Sequence, residues 1–87
     1  MQTSDLRVWI LYKLAKHGYI GGRHTAFDNI PKGAPQHLHK EILETARQLV
    51  KEGFLLLKPT GYGLHVYLNP RKMDEITEII KEIEKNG

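Results

Sequence analysis

The chain has 87 residues, 40% of them hydrophobic, with 13 Lys/Arg against 10 Asp/Glu for a net charge of +3. That length supports one domain over residues 1–87, which leaves no room for a catalytic domain beside a regulatory one. The lack of cysteine excludes disulfides and thiolate metal sites, and no apolar run nears the ~20 residues that cross a bilayer, so a cytoplasmic protein with no membrane partner is expected.

A first helix is expected over Asp5–Lys16, where Leu6, Ile10 and Leu14 recur at the helical period with Leu11 and Ala15 alongside. Thr3 or Ser4 is its cap and Gly18 its stop. Arg7, Lys13 and Lys16 take the solvated side, and Trp9, at the stripe's edge, is assigned to the core. Residues 18–35 hold four glycines and two prolines and read as loop, with one short turn around Phe27–Ile30.

A second helix is expected from Pro35, a residue suited to the first helical position, to just before Gly53. Leu38, Ile42, Ala46 and Leu49 form its apolar face, while His37, Lys40, Glu41, Glu44, Arg47 and Lys51 face out. Strands Phe54–Leu57 and Leu64–Leu68 follow, joined by a turn over Lys58–Gly63. Asn69 and Pro70 then open a last helix, Arg71–Glu84, with a stripe of Met73, Ile76, Ile80 and Ile83.

The periodicity Leu38/Ile42/Leu49, the run Lys51-Glu52-Gly53-Phe54-Leu55 and the hairpin Leu57 to Val66 give residues 5–68 a resemblance to winged-helix (winged helix-turn-helix) domains. The whole chain is also similar to small archaeal proteins that carry an HT…DN.PKG.P.H loop before such a helix. The resemblance implies an α+β fold: helix, long loop, helix, two-stranded β-hairpin wing and C-terminal helix. It also implies a nucleic-acid partner, duplex DNA by default, met by helix 35–52 and wing 58–65. In one place the chain departs from the pattern. HTAFDNIPKGAP stands where a helix-turn-helix has a full helix crossing the DNA backbone. That keeps RNA beside DNA as a target, and a protein-interaction role without nucleic acid beside both.

Carried onto this chain, the pattern places Gln36, His37, Lys40 and Arg47 on the outward face of the second helix. Residues near such a helix's start reach base edges best. Glu41 and Glu44 share that face and oppose deep insertion between phosphates. At the hairpin tip, Lys58 and Tyr62 supply a cation and an aromatic that turn geometry does not require, with His65 on the strand behind them.

Arg23, His24 and Lys32 give the glycine-rich loop polar donors suited to irregular RNA, or else belong to a structural loop pinned by Phe27 and Ile30. Arg71 opens the last helix at its positive end, where the dipole disfavours a cation, and is a further phosphate candidate. Residues 1–70 carry nine Lys/Arg against five Asp/Glu, while residues 71–87 carry four against five, so the basic charge lies where these contacts are expected.

No catalytic residue, metal site or cofactor is expected. Ser4, the only serine, is placed at a helix cap, and the carboxylates are scattered. His37 and His39 would sit about 200° apart on a continuous helix, which keeps them from sharing a metal. A homodimer through the last helix is the remaining expectation.

Overall fold

The computed structural model describes residues 3–86, with side chains described over residues 5–82. Helix α1 (Thr3–Lys16) leads to a two-residue strand, β1 (Thr25–Ala26), and a 3-10 turn at Phe27–Asn29. A second 3-10 turn, Gln36–Leu38, runs into α2 (His39–Lys51). Strands β2 (Leu55–Thr60) and β3 (Gly63–Leu68) form the hairpin, and a 3-10 turn at Pro70–Lys72 opens α3 (Met73–Asn86). The fold is therefore α+β, three helices and one three-stranded antiparallel sheet in the order β1-β3-β2. No helix among the described residues is long and apolar enough to cross a membrane. The cap expected of Thr3 or Ser4 and the stripe position Ile83 involve side chains outside those described.

The structure corrects three expectations. The hairpin is not a two-stranded unit, because β1 joins it with Thr25 opposite Val66 and Ala26 opposite His65. A strand of two residues has no period to detect, and it lies in a segment punctuated by Gly21, Gly22 and Pro31. Second, α2 begins at His39, four residues later than expected from Pro35, so Gln36 and His37 ride on a tighter turn. Pro35 flanks that turn in an extended conformation (ψ 140°), and its carbonyl accepts from the Leu38 N–H at 3.0 Å, closing a 3-10 ring.

Third, pairing continues to Thr60 opposite Gly63, which shrinks the turn to Gly61 and Tyr62 and moves Lys58 into β2. Gly63 permits this with a φ of +115°. Pro59 is tolerated because β2 is an edge strand.

The core sits between the helices and one face of the sheet. Leu6, Ile10, Leu11 and Leu14 of α1 meet Ile42, Ala46 and Leu49 of α2, and Leu55, Val66 and Leu68 close the layer from the sheet. Burying each leucine fully is worth about 1.5–3 kcal/mol. Ile76 of α3 is fully buried, and Met73, Ile79 and Ile80 pack against the core, so the stripe of α3 is used within the molecule. Helices α1 and α2 both end in the same way. The N–H groups of Gly18 and Tyr19 bond to the carbonyls of Ala15 and Leu14, and those of Gly53 and Phe54 to Val50 and Leu49. Both glycines take the left-handed conformation this closure needs, at φ +73° and +85°.

Two cations expected on the solvated side of α1 turn out to tie elements together. Arg7 forks onto Glu52 at the end of α2, with Nη1–Oε2 2.5 Å and Nη2–Oε1 2.8 Å. This raises the arginine pKa and holds the Glu52 carboxyl below its ordinary range. Lys13 Nζ donates to the carbonyls of Ile30 (2.9 Å), Asn29 (3.2 Å) and Lys32, and lies 5.1 Å from the Trp9 ring centroid. It thereby pins the irregular segment beside α1, with Phe27 and Ile30 buried beneath. Burial lowers the Lys13 pKa, and the neighbouring Lys32 charge adds to the effect.

Candidate nucleic-acid interface

Beyond the core, the exposed surface of α2 and the hairpin presents most of the side chains expected from the sequence to make contacts. The start of α2 shows Gln36, His37 and Lys40 to solvent. His39 turns the other way, its Nε2 2.9 Å from the Ala34 carbonyl, so it braces the loop. Further along α2, Arg47 is exposed with its guanidinium carbon 5.5 Å from the Phe27 ring centroid. Glu41 and Glu44 are exposed on the same helix.

The hairpin tip is an ordered turn. Thr60 Oγ1 donates to the Gly63 carbonyl at 2.7 Å and accepts from the Tyr62 N–H at 3.1 Å. On that braced turn Tyr62 is 97% exposed, more than packing or turn geometry requires of an aromatic.

Alternation along β2 and β3 gives the hairpin two unlike faces. On the inner face, past the core, Leu57 and Leu64 stay 39% and 43% exposed. With Phe27, Val50, Arg47 and Lys51 they line a cleft of about 280 Å³ between α2 and the hairpin, apolar at its walls and cationic at its rim.

On the outer face Lys58 stands opposite His65, with Ala26 on the other side of His65. His24, just ahead of β1, brings its Nδ1 to 2.8 Å from His65 Nδ1, the rings meeting edge-on at a centroid distance of 4.9 Å and 72°. One ring donates and the other accepts, as their tautomers dictate. Burial lowers the His24 pKa, and the charges of Lys58 and His65 lower it further.

The structure therefore gathers His24, Lys58 and His65 into one cluster and sets Arg47 on the opposite side of the hairpin, at the cleft. Gln36, His37 and Lys40 share the approach to α2. The remaining expected contacts are dispersed. Arg23 lies against Tyr19, 5.9 Å from its ring centroid. Lys32 lines a separate depression with His17, Tyr19 and Asn29. Arg71 sits on the turn before α3, where its N–H donates to Asn69 Oδ1 at 3.0 Å. Lys72, next to Arg71, places its ammonium 5.1 Å from the Phe54 ring centroid.

Sequence reasoning missed the cleft, though Leu57 and Leu64 flank the turn and point to the same face once the register is known. Among the described residues no three His, Cys, Asp or Glu side chains come together as a metal site. Compared with models of known protein families and with curated proteins, the chain matches none.

Proposed function

We propose that this chain is a winged-helix domain that binds nucleic acid, duplex DNA by default, through the start of α2 and the β2–β3 wing. The fold supports this in its connectivity. A helix, a short strand, a second helix and a hairpin occur in the winged-helix order, and the short strand pairs with the second hairpin strand. The observation that carries the proposal is the hairpin tip: a turn held by the Thr60 hydroxyl displays a fully solvated Tyr62, with exposed Lys58 farther back on β2. Lys40, Arg47 and Lys58 neutralise phosphates and release their counterions, Gln36 and His37 reach toward base edges, and Tyr62 stacks on a sugar or base.

RNA is the second reading, and one observation favours it. Between β1 and α2 the chain offers only the 3-10 turns Phe27–Asn29 and Gln36–Leu38, so no full helix stands there to cross a duplex backbone. Exposed Glu41 and Glu44 likewise favour a shallow contact.

Fluorescence anisotropy with labelled duplex DNA, single strands and structured RNA, titrated over ~50–200 mM salt, tests the proposal. Binding should weaken linearly in log salt, and the Lys40→Ala and Lys58→Ala variants should each reduce that slope by about one. No binding to any polymer at low salt would overturn it.

A further inference from the structure

We propose that His24, His65 and Lys58 form a proton-coupled seat for a phosphate group on the outer face of the sheet, so that phosphate binding and histidine protonation strengthen each other. As a nucleic-acid contact this rests on the function proposed above, whereas as an anion site it stands by itself.

The three groups come from separate parts of the chain: His24 from the lead-in to β1, Lys58 from β2 and His65 from β3. The hydrogen bond joins residues 41 apart in sequence, and strand register sets Lys58 directly opposite His65. The charges acting on His24 are both basic groups, Lys58 and His65. The other titratable neighbours on this face are the Tyr67 phenol, two residues along β3, and Arg23, which precedes His24 and lies against Tyr19. From β1 come only Thr25 and Ala26, which carry no charge. Among the described residues, no carboxylate is recorded acting on His24 in this cluster of three bases.

The Nδ1–Nδ1 bond determines how protons enter. With both rings neutral, the donor ring carries its proton on Nδ1 and the acceptor ring on Nε2. A first added proton takes the donor's free Nε2 and leaves the bond intact. A second must take the accepting Nδ1, which breaks the bond and sets two imidazoliums side by side next to Lys58. On His24, burial and the charges of Lys58 and His65 oppose protonation. A phosphate oxygen near the cluster reverses that balance, because it supplies the missing negative charge and accepts from the imidazolium N–H groups. By linkage, a one-unit rise in a histidine pKa on binding corresponds to about tenfold tighter binding once the pH is below both values.

The test has two arms. In the first, the ring resonances of His24 and His65 in the wild-type protein are titrated by NMR with sodium sulfate, a phosphate mimic that remains dianionic across the range, and with sodium chloride at equal ionic strength. Sulfate should raise the apparent pKa of the pair by roughly half a unit or more over chloride, with His17 as an internal control that does not share the rise. In the second arm, oligonucleotide affinity is measured from pH 7.5 to 5.5. It should tighten by roughly three- to tenfold in the wild type and in His17→Gln, and this gain should vanish in His24→Gln and His65→Gln.

A sulfate effect together with a His24-dependent pH profile supports the seat and assigns it to backbone phosphate. A sulfate effect without polymer binding supports the seat as a site for free phosphate or a phosphorylated small molecule and removes the nucleic-acid function. Polymer binding with the same pH profile in wild type and both histidine variants overturns the seat as a nucleic-acid contact and leaves the function standing. Equal pKa values in sulfate and chloride overturn the seat as an anion site, whatever the variants do, and the wild-type NMR arm gives its answer even if a variant misfolds.

Discussion

On the inner face of the β2–β3 hairpin, Leu55, Val66 and Leu68 are fully buried; on the outer face of the same strands, Lys58 stands opposite His65, and His65 meets His24. The two sets differ only in which side of the pleat they occupy. The inner set is held by apolar burial, which tolerates no polar group without a partner. The outer set gathers basic groups that do nothing for the core. Stability is thus carried by the inner positions of the hairpin and the proposed binding by the outer ones, and a substitution should affect one or the other according to its side. Leu57 and Leu64 fall between the two sets, inner in direction yet exposed at the cleft.

The largest effect that would break this comparison is at Leu68. Leu68→Ala removes a fully buried side chain and should cost about 2–5 kcal/mol in urea unfolding, with no change in the salt slope of whatever binding the folded fraction retains. A cost of a few tenths would mean the inner face is not the core.

Tyr62→Ala should do the reverse. Its ring is 97% exposed, so stability should stay within about 0.5 kcal/mol. Nucleic-acid affinity should fall by roughly 1–3 kcal/mol if the ring stacks. An unchanged affinity would remove the tip from the interface.

Lys13→Met sharpens the comparison from outside the hairpin. It leaves three loop carbonyls without their ammonium donor and should cost about 1–2 kcal/mol, with faster amide exchange at Ile30 and Lys32 and little change in the hairpin.

The smallest effect is at the Arg7–Glu52 fork. The Glu52 pKa lies below its ordinary 4.5 in the folded chain, chiefly through the Arg7 hydrogen bonds. Its contribution is therefore complete above that ordinary value and is lost as the pH falls through the folded value. Glu52→Gln should cost up to ~1 kcal/mol at pH 7 and flatten the acid limb of stability against pH.

Where a long run of residues repeats its pattern, the sequence was readable. The stripes of α1, α2 and α3 and the alternation Leu64, Val66, Leu68 place those elements to within a few residues. What escaped was short or distant. Strand β1 is two residues long, and only its partner β3, 40 residues later, makes it a strand. The His24–His65 bond and the Lys13 staple are tertiary pairings with no local signature. Pro35 marked a helical start correctly in kind, but the turn it flanks is 3-10, so the α-helix proper begins only at His39. The candidate site was legible residue by residue, since Lys58, His65 and Tyr62 all stood out, but not in its grouping. Which residues face one another follows from strand register: β2–β3 pairing sets Lys58 opposite His65, and the third strand brings His24 alongside.

The most direct test of the central claim is a residue-level footprint: amide shifts of ¹⁵N-labelled protein titrated with a short duplex and with structured RNA at low salt. The account predicts shifts at Gln36, His37 and Lys40, along Lys58 to His65 and at His24, while the buried positions of α1 and α3 stay still. Shifts confined to α3, or none with either polymer, would contradict it.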